Sequence, residues 1–359
     1  MPPLLRYTLR RLISIPVSLF IVTFFLYAII SVTPPETRAS LYFPPNLKNM
    51  SEKQFALMVE RIIKSHHLND PFPVQYVIWV GTLVKGEWGY SPTLQEEVLV
   101  ALLRRTPVTA ELTIYSILTF IPLGLIAGSL AGWQRGKPWD RIFRFTAFTG
   151  TSLPPFVLAI LLLAIFYVSF YVFPPERLST NNWQFIQSSA FKNFTGFVTL
   201  DGLLNGRLDI TLDAFRHMVL PIVTLGYLHW STLGRVARVA TLEELQKEYI
   251  TAARSRGIPE RTVVWKHTLR NILSPALTSS ALSAASLFTG VFVVERVFVF
   301  NGVSDMILSV QNVADAPAVL GFSVYAIMIV LLIMFLLDML QAIFDPRIRE
   351  SLLDYEHTR

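Results

Sequence analysis

The chain contains no cysteine. Disulfide staples, thiol nucleophiles and thiolate metal sites are therefore excluded. Charge is scarce too: Asp, Glu, Lys and Arg supply 16% of the 359 residues, against about 25% in an average soluble domain. Neither H-E-x-x-H nor G-x-S-x-G occurs, and no G-x-x-x-x-G-K-[ST] run is present to cradle a nucleotide phosphate. Gly136-Lys137-Pro138 is not that motif. His66 and His67 are adjacent, a spacing poorly suited to chelating one metal ion. No internal repeat or low-complexity tract is visible.

What the chain has in excess is apolar sequence. Hydrophobic residues make up 52% of it, gathered into runs that approach the roughly 20 residues a helix needs to cross about 30 Å of hydrocarbon. Six spans are expected: Leu12 to Val32, Leu112 to Trp133, Phe145 to Phe173, Met218 to Ala240, Ala276 to Val294 and Leu320 to Phe344. The first could instead be a signal peptide, but it is long for one and Thr33-Pro34-Pro35 follows it.

The formal net charge of +6 could suggest nucleic acid. Its distribution argues otherwise, because the basic residues cluster beside the apolar runs. Arg6, Arg10 and Arg11 precede the first span. Arg135, Lys137, Arg141 and Arg144 lie between the second and third, opposed only by Asp140. Arg254, Arg256, Arg261, Lys266 and Arg270 lie between the fourth and fifth. Lys and Arg excess marks the cytoplasmic side. Both termini are therefore expected in the cytosol, with residues 33–111 and 174–216 outside.

In the first external segment, Ser51-x-x-Gln54 has capping-box spacing, and Phe55, Met58, Ile62 and Ile63 recur at helical intervals. Asp70-Pro71-Phe72-Pro73 ends that helix, and a second is expected from Val74 to Leu83.

Inside the spans, Gly124, Gly128 and Gly132 form a small-xxx-small row, which lets helix backbones approach closely in lipid. The same row could serve as a sliding surface. Pro16, Pro122, Pro154, Pro155 and Pro221 each remove a backbone donor and favour kinks. The fifth span is rich in hydroxyls: Ser274, Thr278, Ser279, Ser280, Ser283, Ser286 and Thr289. Such a helix is expected to face protein or water and to line a translocation path. Otherwise the hydroxyls bond their own backbone and serve packing. Glu295 and Arg296 close this span, and Asp338 sits in the last one. Charged groups there are either functional or interfacial.

Leu242 to Pro275 is the most telling stretch. Leu242 to Arg256 favours a helix, Gly257 suits a left-handed cap, and Pro259 suits the start of a second helix reaching about Asn271. Two short helices about a sharp corner make a rigid knob, with low-profile Ala252 and Ala253 near the corner.

Here the chain resembles the inner-membrane permease subunits of ATP-binding-cassette importers for dipeptides, oligopeptides and nickel. The matching positions are Tyr249, Thr251, Ala252, Ala253, Arg254 and Gly257, then His267, Leu269, Arg270, Asn271 and Pro275. In that family the segment is the "EAA" loop, which couples an ATPase to the membrane helices. The family's glutamate is Thr251 here. Residues 68–91 and 104–113 are also similar to the peptide permeases. Glu295, Val297, Phe298 and Gly302 match a family segment whose proline is replaced by Asn301, and a later glycine by Ser304. Residues 345–349, Asp-Pro-Arg-Ile-Arg, reproduce a family terminus, and Asp338 matches a family position. Nearly the whole chain is covered apart from residues 33–65 and 177–212.

The resemblance implies an all-α type I importer permease with six transmembrane helices and cytoplasmic termini in the cell membrane. Its parts would be residues 1–32 (tail and first span), 33–111 (external), 112–345 (core, including the 242–275 hairpin) and 346–359 (tail). Implied partners are a second similar permease, two ATPases binding ATP and Mg, and an external solute-binding protein. The chain itself would carry no cofactor and no catalysis. The implied coupling residues are Tyr249, Thr251, Ala252, Ala253, Arg254, Gly257, His267 and Arg270. Thr278, Ser279, Ser283, Ser286, Thr289 and Glu295 are the path candidates. The solute could be a dipeptide, oligopeptide, oligosaccharide or nickel chelate, and the charge-poor fifth helix suits a neutral or peptide-like one. An intramembrane enzyme lacks a motif here. An ion-gradient-driven transporter usually keeps buried charges at mid-membrane, and the sequence offers almost none.

Overall fold

The computed structural model describes residues 3–44, 50–310 and 315–344, so the expected 345–349 match lies outside it. In chain order the helices are α1 (Pro3–Ser31), α2 (Pro35–Arg38), α3 (Glu52–Ser65), α4 (Phe72–Val84), α5 (Val98–Trp133), α6 (Pro138–Ser152) and α7 (Pro155–Leu162). Then follow α8 (Thr180–Ile186), α9 (Val198–Leu204), α10 (Leu208–Glu244), α11 (Glu248–Ser255), α12 (Glu260–Thr262), α13 (Leu269–Val297), α14 (Val303–Val310) and α15 (Ala316–Phe344). Strands β1 (Tyr90–Ser91) and β2 (Glu96–Glu97) pair antiparallel ahead of α5.

Among the described residues, three single helices are long and apolar enough to cross a membrane: Tyr7–Ser31, Val98–Trp133 and Ala316–Met339. The expected third span is not one helix. Its chain bends by 110° between α6 and α7, where Pro154 and Pro155 interrupt the helical ladder. Beyond Leu162 it winds as a π-helix to Ser169. Taken as one bent span, the pair is a fourth crossing by length and composition. The expected fourth and fifth spans fall within α10 and α13.

Two compact units organise the chain. Among the described residues, one comprises Val108–Phe300 with residues 3–9 and 332–344; the other comprises those within 10–107 and 301–331.

The second unit has an aromatic core. Tyr27 stacks on Trp79 at 4.9 Å, and both pack with Leu41, Tyr76, Leu320 and Val324. The expected capping box at α3 is formed: Ser51 Oγ accepts from Gln54 N, and Gln54 Oε1 accepts from Ser51 N. Arg38 is buried, and its guanidinium donates to Gln75 Oε1 and Leu68 O. Asp315 accepts from Ser91 Oγ, Thr93 N and Ala318 N, which ties the β-turn to α15.

In the first unit, α10 packs against α13, α9, α6 and α7. The glycine row of α5 faces it. A Cβ at Gly128 would clash with Gly234 O and lie 2.9 Å from Ala237 Cβ. A Cβ at Gly132 would lie 2.8 Å from both Arg238 O and Thr241 Cβ. The two backbones approach closely where the small residues permit it. On the other side, Gly150 of α6 meets Ser231, and Phe143 fills the space above Gly234. Leu112, Phe120, Met218, Leu225, Leu233, Leu287 and Val291 lie within the apolar core this builds.

Segment 174–216, expected outside the membrane, is built around three carboxylates. Glu111 is buried, pairs with Arg177 at 2.6 Å, and accepts from Thr199 N and Oγ1. Asp201 accepts from Thr195 N, Thr195 Oγ1 and Gly196 N. Asp213 accepts from Ser179 N, Ser179 Oγ and Asn182 Nδ2.

Candidate coupling hairpin and helix path

The hairpin forms, with altered helix boundaries. The expected helix Leu242–Arg256 is two helices. The amides of Leu245, Gln246 and Lys247 bond back to Thr241, Glu243 and Glu244, which closes α10. Lys247 then turns to an extended conformation and caps α11. The second arm starts at α12, winds as a π-helix over Val263–Thr268, and continues into α13. The hairpin is thus welded to a long helix on each side.

Its corner is a Schellman cap. Gly257 adopts φ +74°, the left-handed region that glycine enters without a Cβ penalty. Gly257 N donates to Arg254 O at 2.9 Å, and Ile258 N donates to Ala253 O at 3.2 Å. Ile258 and Leu245 pack on Ile250, Ala253 and Val263. Ala253 therefore belongs to the hairpin's own small core. Thr251, Ala252, Arg254, Gly257 and Arg270 are exposed, with Tyr249 at 39%, and His267 is half-buried. Arg254 pairs with Glu260 across the corner at 2.7 Å.

Glu244 holds the base. This carboxylate is buried and accepts from Tyr249 OH at 2.6 Å and Asn271 Nδ2 at 2.7 Å, while Lys247 Nζ pairs with its other oxygen at 2.5 Å. Asn271 also donates to Tyr249 OH at 2.9 Å. One side chain thus joins α10, α11 and α13. Burial works against its charge, yet the Lys247, Tyr249 and Asn271 bonds hold its pKa below the ordinary carboxylate value. Burial and the Glu244 bond push the Tyr249 phenol up to about 12. Because the folded Glu244 binds its proton less readily than the unfolded one, its contribution to order is fully present above the ordinary carboxylate range and is lost as pH falls through the depressed value. The protection factors of the α11 amides, which correct for the intrinsic pH dependence of exchange, should therefore stay constant from neutrality down to that ordinary range and fall only below it. Glu244→Gln should remove this acid-dependent step. The sequence names Tyr249 and Asn271 but not Glu244, whose role appears only when the two arms are placed side by side.

A second clamp lies nearby. Asp140 on α6, 1% exposed, receives Arg238 Nε at 2.7 Å and Nη2 at 3.2 Å, and Gly136 N at 2.9 Å. Burial opposes ionisation there, but the Arg238 and Gly136 bonds keep the carboxyl below its ordinary range. A lone acid inside a basic loop was the only sequence signal.

Of the path candidates on α13, Ser279 is half-buried, Ser283 is buried and Ser286 is exposed. Ser286 Oγ donates to Ser283 O, and the neighbouring Ser280 Oγ to Ala276 O, so these two hydroxyls bond their own helix. Thr278 and Thr289 lie on α13, but their side chains fall outside the described set. Glu295 is buried and accepts a hydrogen bond from Thr109 Oγ1. Asp338 lies half-buried on α15. His66 stacks on Tyr42, while His67 bonds Asp70, so the pair serves two separate contacts.

Residues 121–350 match the family described as binding-protein-dependent transport system inner membrane component. The chain is 30% identical to the di/tripeptide transport system permease protein DppB of Pseudomonas aeruginosa, over 97% of this chain and all of that protein. It is 32% identical to the probable D,D-dipeptide transport system permease protein DdpB of Escherichia coli, over 81% and 84%. The oligopeptide transport system permease protein AppB of Bacillus subtilis is 29% identical over 95% and 98%. A mostly helical chain with several membrane-length apolar helices, matched in this way along nearly its full length, belongs to the binding-protein-dependent transport system inner membrane component family: it is a multi-pass permease subunit of the ABC-importer class, not an enzyme.

Proposed function

We propose that the protein is the transmembrane subunit of an ATP-driven importer of peptide-like solutes. It forms half of the translocation pathway beside a second, similar permease. An external binding protein delivers the solute, and two cytosolic ATPases, which bind ATP and Mg, drive the cycle. We read six spans, with α6 and α7 as one bent crossing, and the Lys and Arg excess beside them favours a cytosolic side for both termini and the 242–275 hairpin. The hairpin seats on an ATPase through Tyr249, Thr251, Ala252, Arg254 and the Gly257 corner, with His267 and Arg270 on its second arm and Ala253 supporting from within. Closure of the ATPases biases the membrane helices between inward- and outward-facing packings. The path runs along α13, past Thr278, Ser279, Ser283, Ser286 and Thr289 to Glu295. Relatives named for di-, tri- and oligopeptides favour a peptide-like solute over an oligosaccharide or nickel chelate.

The observation that carries this reading is the corner itself. A glycine-capped knob is fixed to α10 and α13 by one buried carboxylate, so a push on it moves both helices. Nothing lies within 4 Å of a Cβ built at Gly257, and aspartate tolerates the left-handed region better than most residues. Gly257→Asp should therefore insert and assemble normally yet abolish binding-protein-dependent uptake into vesicles. Uptake at the parent rate would remove the corner from the coupling surface.

A further inference from the structure

On the first unit, α5, α6 and α10 leave an open groove of about 400 Å³. Its walls are almost wholly apolar, with Leu123, Ile142, Phe143, Val223 and Trp230 among them. The hydroxyls present are already used: Thr119 bonds Tyr115 O, Thr146 bonds Ile142 O, and Tyr227 bonds Thr146 O. The groove therefore offers a polar solute little.

Its dimensions suit one extended hydrocarbon chain. Along α5 the lining runs from Thr119 to Ala127, about 12 Å at 1.5 Å per residue. That is most of one leaflet, about half of a 30 Å hydrocarbon core. At one end stands Trp139, 40% exposed on the first turn of α6, a residue type enriched at membrane–water interfaces. Around it Arg135, Lys137, Arg141 and Arg144 are exposed, and the acid among them, Asp140, is buried against Arg238. The groove end is thus basic.

We propose that this groove binds one acyl chain of an anionic phospholipid, whose phosphate lies over Arg135, Lys137 and Arg141. Basic clusters beside membrane helices on the cytoplasmic side attract anionic headgroups, so the proposal rests on the cytosolic placement of residues 134–144 given above. A bound lipid here would sit against the face of α10 that leads to Arg238 and Glu244.

The test uses the permease assembled with its second permease and ATPases, with the external binding protein and a peptide supplied, in phosphatidylcholine vesicles doped with phosphatidylglycerol bearing a photoreactive acyl chain. Labelling should map to lining residues of α6 and α10. It should fall at least five-fold with the matching phosphatidylcholine probe and in the combined Arg135→Gln, Lys137→Gln, Arg141→Gln variant. Val223→Trp, which fills the groove, should block it. Equal labelling by both probes, labelling confined to other surfaces, or cross-linking of an Ile142→Cys variant to the second permease would overturn the proposal. Uptake measured on the same vesicles separates the two readings: active transport without groove labelling sinks the lipid site alone, and groove labelling without uptake sinks the transport reading alone.

Discussion

Gly128→Leu should prevent stable assembly of the first unit. Even a methyl group there meets the Gly234 carbonyl and Ala237 Cβ. Both obstacles belong to α10, so relief requires α5 and α10 to part along their length. Overpacking typically costs about 1–3 kcal/mol where side chains can yield. Here part of the obstacle is backbone, and about 3 kcal/mol or more is expected. The readout is the thermal transition of the detergent-purified protein, with a large fall or failure to purify anticipated. Gly81 on α4 is the control, because a Cβ there meets nothing within 4 Å. Gly81→Ala should be neutral or stabilising by about 1 kcal/mol, the helix-propensity difference. Equal behaviour of the two variants would show that the glycine row does not set the helix separation.

Asp140→Ala should destabilise the same unit by a different route. It strips Arg238 of its bidentate partner. Removing one member of a buried ion pair costs about 3–5 kcal/mol. The Arg238 side chain keeps 18% of its accessibility, so solvent recovers part of that, and about 2–3 kcal/mol is expected. The Asp140→Ala, Arg238→Leu double variant should be less destabilised than the sum of its parts, because no unpaired charge remains. Strict additivity would mean that the pair contributes no coupling between α6 and α10.

The periodic features were legible in the sequence. Hydrophobic runs placed α1, α5 and α15, the capping box placed α3, and Gly257 announced the corner with its correct handedness. Proline announced the break at 154–155 but not its size, since a 110° bend depends on what the following helix packs against. The hairpin boundaries shifted because a helix-favouring run cannot reveal where a tertiary partner stops it, and Glu244 is that partner. Residues 177–212 carried no motif because their order comes from carboxylates capping loop amides, a pattern with no fixed spacing. Glu111 is 66 residues before Arg177, and Asp140 is 98 before Arg238; separations of that kind leave no periodic trace. The charge-poor appearance of the spans likewise hid how many ionised groups are buried just beyond their ends.

The absence of cysteine makes the most direct measurement straightforward. A single Ser255→Cys variant places a thiol on the exposed face of α11. In the assembled transporter it should cross-link to an ATPase subunit, in a nucleotide-dependent manner, and resist impermeant thiol reagents added outside intact cells. Labelling from outside, or an assembled complex in which position 255 reaches no ATPase, would contradict the coupling role of this hairpin.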